Sequence, residues 1–286
     1  MIEITIREGQ IEDTQECAKI CFDAFRAVAE EHNFQPDFPT VEAAARVVSL
    51  MLQHAGFYCA IAERDGEIIG SNFLDERAEI VGLGPITVRR QLQNEGVGRS
   101  LLADALERSD RREAPGIRLV QAAYHGRSMA LYLKHGFEIR EPLAAMRGTL
   151  RSIEIPDHHV RPVETSDLEA CDQLCRSVHG FSRSLELQDA ISAGGARLAE
   201  YRDRVTAYTT NIGFTGHTVG RDSTAVMALV AATDRIRGPG FLLPLRSSDL
   251  LMWCLEQGLR IEQPLSLMSR GTYREPQGVF LPSIAC

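Results

Sequence analysis

The chain of 286 residues has no long apolar segment, no surplus of basic residues and almost no lysine. No stretch approaches the roughly 20 apolar residues that a membrane-spanning helix needs, and no basic segment followed by an apolar run begins the chain. The net charge of −8 makes nucleic acid and anionic membrane surfaces poor partners, because binding a polyanion needs a basic face. Lys19 and Lys134 are the only lysines, and we attach no function to this scarcity. We therefore expect a cytoplasmic protein with no nucleic-acid or membrane partner.

The seven cysteines are odd in number and scattered, as is typical of free thiols in a reducing compartment. Cys17 and Cys21 are four residues apart, as are Cys171 and Cys175, so each pair lies on one face of a predicted helix. Metal binding would need further ligands at suitable spacing, which neither helix offers. We predict that both pairs pack in a core and that the protein holds no metal.

An internal repeat organises the chain. Near the start, a set of residues recurs at a constant offset of 154, and later a second set recurs at an offset of 122. The first set is Ile6, Arg7, Asp13, Cys17, Ile20 and Cys21; the second is Val97, Gly98, Arg99, Gly136, Ile139, Pro142, Leu143 and Met146. Each copy opens as a short strand, an Asp that caps a helix, and the helix itself. The smaller second offset predicts that copy two has lost one strand before its loop. We predict domains at 1–150 and 158–286, with a linker near Thr149–His159.

The first copy is predicted to be mixed α/β. Arg64-Asp65-Gly66 is a strong hairpin signal between strands at 58–63 and 67–74. Further strands are expected near 2–7, 80–88, 117–123 and 143–149, and helices near 12–30, 41–54, 97–112 and 127–135. The late alternation of strands and helices favours parallel pairing through the 97–112 crossover.

The segment from Gly84 to Leu102 is the most informative one, because a strand is followed by a glycine loop and then a helix. Free amides at a helix N-terminus form an anion site when glycines permit close approach, and Arg99 adds positive charge. The alternative is that Gly96 and Gly98 only make a tight strand–helix turn. Neither a P-loop nor a dinucleotide fingerprint is present, since there is no G-x-x-x-x-G-K-[ST] and position 101 is Leu.

Two elements of the first copy resemble the GNAT superfamily, the GCN5-related N-acetyltransferases. Gln93-x-x-Gly96-x-Gly98 is similar to the Q/R-x-x-G-x-G/A signature, and the preceding Gly84-Pro85-Ile86-Thr87-Val88 resembles the fourth strand of that family. Downstream, the run from Ala130 to Glu138 resembles the family's A-x-L-Y-x-K-x-G-F element. The resemblance covers about Ile4–Gly148 and, more faintly, the rest.

The resemblance implies two α/β domains, each with a mixed, partly splayed sheet flanked by helices, the second domain reduced. It implies acetyl-CoA as cosubstrate. The loop would hold the CoA pyrophosphate through Gln93, Asn94, Glu95, Gly96, Val97, Gly98, Arg99 and Ser100. The strand backbone at Ile86, Thr87 and Val88 would pair with pantetheine, and the Val88 N–H would stabilise the oxyanion.

Tyr132 is the candidate general acid for the departing CoA thiolate. The alternative is that Tyr132 is a core aromatic on a helix. His125 stands seven residues earlier, where many members of the family carry Asn, and this leaves one polar CoA contact in doubt.

No residue is a convincing general base. Glu79, at the start of the fourth strand, is the best-placed carboxylate. Four residues flank the expected acceptor cleft, and we favour the interpretation that each is a solvated surface residue: Glu30, Glu31, His32 and His54. The acidic stretch Glu30–Asp37 either attracts a cationic amine or is an ordinary exposed loop.

The second copy lacks the features that carry chemistry in the first. At the offset of 122, Cys254 stands where the first copy has Tyr132, and Thr215 and Thr218 stand where it has Gln93 and Gly96. We therefore predict that copy two does not turn over acetyl-CoA, and that it either walls the acceptor side or supplies a homodimer face. The letters of Arg235–Gly240 match the signature, which we interpret as chance.

Together these features predict an acetyl-CoA-dependent N-acetyltransferase, in which an amine attacks the thioester directly in a ternary complex. A non-catalytic acyl-CoA-binding or regulatory module and an acyltransferase for longer chains remain alternatives. The acceptor, a small-molecule or peptide amine, is not identified by the sequence.

Overall fold

The computed structural model describes residues 4–150, 153–233, 236 and 238–286. In the first half of the described chain, strands and helices alternate as the sequence predicts. The strands are β1 (Thr5–Glu8), β2 (Phe57–Arg64), β3 (Glu67–Asp75), β4 (Ile80–Val88), β5 (Gly116–Ala122) and β6 (Glu138–Arg147). The helices are α1 (Thr14–Glu31), α2 (Val41–Gln53), α3 (Val97–Arg111) and α4 (Gly126–Lys134). Strand β6 begins five residues earlier than the predicted 143–149, because each of its first five residues is polar or exposed and they do not show the apolar alternation of a strand.

The second half repeats this order and adds one strand. Its strands are β7 (His158–Pro162), β8 (Arg197–Tyr201), β9 (Arg204–Thr209), β10 (Thr218–Gly220), β11 (Phe241–Pro244), β12 (Arg260–Gly271) and β13 (Val279–Leu281). Its helices are α5 (Leu168–His179), α6 (Ser184–Ser192), α7 (Ser223–Ala231) and α8 (Ser248–Glu256).

The predicted loss of a strand from the second half is wrong. Both β9 and β10 lie between β8 and α7, and β10 pairs with β9 in antiparallel register. The second half is shorter because its elements are shorter: α5 has 12 residues where α1 has 18, and α7 has 9 where α3 has 15. At three residues, β10 is too short to show the alternation by which a strand is recognised in sequence.

By its contacts the chain divides into two compact units. The first comprises residues up to Leu119, with Tyr124–Gly136 and Ala285. The second comprises Val120–Ala123, Phe137–Ile284 and Cys286. The last strand of the first half, β6, is therefore part of the second unit, while the predicted boundaries at 1–150 and 158–286 describe the repeat along the sequence and stay a prediction.

In the first unit the strand order is β1-β2-β3-β4-β5. The pairs up to β4 are antiparallel, and β4 with β5 is parallel, as the helical crossover α3 requires. Asp65 and Gly66 both have positive φ in the turn between β2 and β3, which suits a two-residue hairpin. Helices α1 and α2 pack on this sheet, and Cys17 lies in their shared core as predicted; Cys21, beside it on α1, is also buried.

In the second unit β6 lies between β12 and β11 and is antiparallel to both. Leu143 of β6 pairs with Leu265 of β12. Leu265 is also the residue that corresponds to Leu143 in the second copy of the repeat, 122 residues later, so the β6–β12 pair is nearly symmetric about this point. A second sheet has the order β13-β10-β9-β8-β7. Cys171 and Cys175 are buried in the core beneath it.

The same ion pair opens both halves. Arg7 donates to both carboxylate oxygens of Asp13 and to Glu63, and Arg161 does the same with Asp167 and Glu200. We expected the Asp to cap the following helix. Instead its carboxylate turns back, toward the arginine and the N–H three residues earlier in the chain, because a single turn of 3₁₀-helix separates strand from helix.

No helix within the described ranges is both long and apolar enough to cross a bilayer.

Candidate functional site

Strands β4 and β5 separate soon after they meet. Their parallel pairing covers Ile80–Gly82 with Gly116–Arg118, whereas β4 continues to Val88 along its other neighbour, β3. From Leu83 onward, the edge of β4 that faces β5 can pair with another extended chain. This is the splayed sheet that the family resemblance predicts.

Backbone directions at the end of β4 identify the groups that face the splay. The Arg89 N–H donates to the Ile69 carbonyl of β3, with an N···O distance of 2.8 Å. Because backbone groups point alternately to the two edges of a strand, Val88 and Ile86 direct their N–H and C=O toward the splayed edge. Thr87 directs its backbone groups toward β3, and its buried hydroxyl lies 3.3 Å from that of Ser71.

The chain then turns into α3 through two residues in the left-handed region. Asn94 has φ of 74° and Gly96, the residue before the helix, has φ of 94°. A side chain at Gly96 would be strained whatever the space around it. By the geometry of the helix, the first amides of α3, at Val97, Gly98 and Arg99, have no partner within it, and free amides of this kind can bind an anion. The Ser100 N–H is not available to a ligand because it donates to the Gly96 carbonyl at 3.0 Å.

Three elements converge at Gly98. A Cβ built on Gly98 would lie 3.8 Å from the side chains of both Val88 on β4 and Leu131 on α4, which is ordinary contact. Packing within the protein therefore does not require glycine here. A ligand that approaches the backbone at this point would require it, so Gly98 fits a cradle for a bound molecule.

Two arginines from outside the predicted motif contact polar side chains of the loop. Arg64, the last residue of β2, pairs with Glu95 at 2.6 Å, and Arg127, in the first turn of α4, donates to Gln93 at 2.5 Å. Arg99 is exposed at the start of α3. Arg64 thus neutralises the one acidic group of the loop. Sequence spacing gave no signal for Arg64 or Arg127, since both contacts join distant segments.

Tyr132 lies on α4 next to Leu131 and is 5% exposed. Burial raises the pKa of its phenol well above the usual range, so the group keeps its proton at neutral pH. A phenol is protonated at neutral pH even at its ordinary pKa of about 10, so Tyr132 holds a proton that a departing thiolate can accept.

Other predicted residues are spread around the unit. Glu79 is exposed at the start of β4. His54 ends α2, where its Nδ1 accepts from the Gly56 N–H at 2.9 Å. Glu30 is exposed and faces Arg26 at 3.8 Å. His32 and His54 are both half-buried rather than fully solvated, and the ring of His32 lies against that of Tyr124, at a centroid distance of 5.1 Å.

The corresponding place in the second half is built differently. Val219 and Gly220, which match Val97 and Gly98 by letter, lie in β10 rather than at a helix start, so the predicted equivalence of their loops is wrong. Helix α7 begins after Asp222, whose carboxylate accepts from the Ala225 N–H at 2.9 Å. This carboxylate occupies the position that an anionic ligand would take.

Helix α8 confirms the placement of Cys254. Helices α4 and α8 each have 9 residues, and Cys254 occupies in α8 the turn that Tyr132 occupies in α4. Cys254 is fully buried, and burial raises the pKa of its thiol to about 12. The chance match at Arg235–Gly240 falls partly outside the described residues, at Arg235 and Arg237, and its last glycine precedes strand β11 rather than a helix.

Residues 55–139 match the family model of the Acetyltransferase (GNAT) domain. No curated protein is significantly similar to the chain in sequence.

Solved structures resemble the chain over nearly its whole length. One is a Pyrococcus horikoshii protein provisionally assigned as an acetyltransferase, with a TM-score of 0.74 and 19% identity over 96% of this chain and 94% of that one. Another is a GCN5-related N-acetyltransferase from Sphaerobacter thermophilus, with a TM-score of 0.64 and 14% identity over 95% and 96%. At these identities the likeness concerns the fold.

Proposed function

We propose that this chain transfers an acetyl group from acetyl-CoA to a primary amine at the splayed edge of β4, because residues 55–139 match the model of the GNAT acetyltransferase domain. The separation of β4 from β5 beyond Gly82 is the observation that carries the proposal. It leaves Ile86 and Val88 with backbone groups directed at the splay, and it ends at the glycine turn into α3.

The chain's own groups divide the work between binding and chemistry. The amides of Gly96 to Arg99 hold the pyrophosphate, with Arg99 adding charge. The backbone of Ile86 and Val88 pairs with the pantetheine arm as a neighbouring strand would. The Val88 N–H stabilises the oxyanion formed when the amine attacks the thioester carbonyl. Tyr132 gives its proton to the CoA thiolate as the C–S bond breaks.

Acetyl transfer to a panel of amines tests this proposal, with free CoA thiol as the readout. Tyr132→Phe should lower kcat by about 100-fold or more while CoA affinity stays within about twofold. Tyr58→Phe is the matched control, because Tyr58 is also buried but donates to Asp104 on α3, at 3.0 Å. Wild-type protein that binds CoA and transfers acetyl to no amine would support the binding-module alternative. Faster transfer from longer acyl-CoA thioesters would favour the long-chain alternative.

The second half is proposed to be non-catalytic. Asp222 caps α7 with a negative charge where α3 offers free amides, and Cys254 cannot serve as Tyr132 does. Calorimetric titration with CoA should therefore give one site per chain. Two equal sites would contradict this assignment.

A further inference from the structure

A cluster of rings lies where α1 and β5 end. His32 closes α1 and donates from Nδ1 to the Val28 carbonyl at 2.9 Å, which fixes its tautomer. The ring of His32 lies 5.1 Å from Tyr124 and 6.5 Å from His125, centroid to centroid. Phe34 stacks on the ring of Tyr124, at a centroid distance of 4.2 Å. Two imidazoles are thus held side by side by aromatic packing.

This cluster is joined to the acetyl-donor site through α4. His125 immediately precedes α4 and caps its start, where the His125 carbonyl accepts from the Met129 N–H at 3.2 Å. Two residues later Arg127 contacts Gln93 of the cofactor loop, and further along the same helix come Leu131, beside Gly98, and Tyr132. The backbone of position 125 is therefore held at the start of the helix that carries the proposed acid.

Burial, more than the charges around it, favours the neutral form of the His125 imidazole. Burial is the largest cause that lowers its pKa below the usual 6.5, and Arg127 of α4 and His32 of α1 lower it further. Glu31, at the end of α1, acts in the opposite direction. Tyr124 does not compete for the proton at neutral pH, because burial and then Asp37 of the α1–α2 loop raise the pKa of its phenol to about 12.

We propose that His125 is the general base of the transfer reaction and that His32 is a positioning residue for it. This inference rests on the proposed acetyltransferase function. As the amine nitrogen bonds to the thioester carbonyl carbon, its N–H proton passes to an imidazole nitrogen of His125. The C–S bond then breaks, and the thiolate takes the proton of Tyr132. The imidazolium afterwards releases its proton to water, and Tyr132 regains one from water.

The pH dependence of kcat tests the base, because ionisation of the free amine does not enter kcat. In wild-type protein kcat should fall as the pH drops through the pKa of His125, since a protonated imidazole cannot accept a proton. His125→Asn supplies the residue that many relatives of the family carry here. It should retain CoA affinity, lower kcat by about 100-fold or more, and lose this acid limb. Added imidazole should restore part of the rate of His125→Ala.

His32→Asn tests the positioning role, because its amide can replace Nδ1 toward the Val28 carbonyl but leaves no ring against His125. It should lower kcat by about tenfold and shift the acid limb rather than remove it. His135→Asn is the matched control: His135 closes α4 with the same bond, from Nδ1 to the Leu131 carbonyl at 2.8 Å, and should leave the acid limb unchanged.

The inference is overturned if His125→Asn keeps the wild-type rate and acid limb, or if Glu79→Gln removes that limb instead. In both cases acetyl transfer by the wild type would stand. A wild type that transfers no acetyl group at all would refute the acetyltransferase function itself, so the two failures are distinguishable.

Discussion

Replacing Gly98 by alanine should stabilise the free protein and weaken its binding of CoA. Gly98 is the second residue of α3, in helical conformation, and a Cβ there makes only ordinary contacts, at 3.8 Å, with Leu131 and Val88. Alanine is favoured over glycine in helices by roughly 0.5–1 kcal/mol, and the first turn realises the lower part of this range. For a chain of this size the gain corresponds to a rise in Tm of about 1–2 °C.

In the CoA-bound state the same alanine substitution is unfavourable. A CoA molecule that lies against the α3 amides must approach the Gly98 backbone, and the added methyl group occupies that space. We expect the Kd for CoA to rise at least tenfold, which corresponds to about 1.4 kcal/mol. Thermal unfolding without ligand and calorimetric titration with CoA measure the two effects separately.

Two further glycine variants complete this experiment. Gly96→Ala should lose both stability, by about 1–2 kcal/mol, and CoA affinity, because its φ of 94° is unfavourable for alanine. Gly194 has φ of 72° and, like Gly96, no atom within 4 Å of a built Cβ, so Gly194→Ala should lose stability alone. If Gly98→Ala binds CoA as tightly as the wild type does, the cradle between β4 and α3 is not where the cosubstrate lies.

Two stability predictions follow from the same structure. Asp13→Asn should lower the free energy of unfolding at pH 7 by about 2 kcal/mol, because the carboxylate accepts bonds from Arg7 and from the Gln10 N–H. The hydrogen bond from Arg7 is the main reason that the pKa of Asp13 is lowered from 3.8. This stabilisation is therefore complete above pH 3.8 and disappears as the pH falls through the folded-state pKa. Urea unfolding at pH 7 and at pH 3 measures the difference. Asp222→Ala should lower the free energy of unfolding by about 1 kcal/mol, because α7 loses its cap. The variant should still bind one CoA per chain. A second bound CoA would contradict our account of that helix.

Local chemistry explains what could be predicted from the sequence. Strand β4 was predicted at its observed bounds, and the start of α3 at Val97, because a β-rich run followed by a residue that needs positive φ admits few conformations. The proposed anion site depends on this local geometry alone. The hairpin at Asp65 and Gly66 was predictable for the same reason.

Long-range pairing explains most of what could not be predicted. The pattern of β6 indicates a strand but not that its neighbours are β11 and β12, both more than 90 residues later in the chain. Likewise, no spacing brings Arg64 to Glu95 or Phe34 to Tyr124. The wrong prediction about the second loop has a different origin. Val97-Gly98 and Val219-Gly220 are identical in sequence, but the first pair begins a helix and the second lies in a strand.

The two helix starts show how a repeated fold can carry one site. At α7, Asp222 satisfies the Ala225 N–H within the chain, and such a cap is worth about 1 kcal/mol in the free protein. At α3 no side chain caps the helix, and Asn94 and Gly96 both adopt positive φ, so the free protein forgoes that stabilisation. The amides left at α3 become useful only when an anion binds them. A site of this kind is therefore less stable in the free state than a capped helix, and the half of the chain that we propose to be non-catalytic has the capped form.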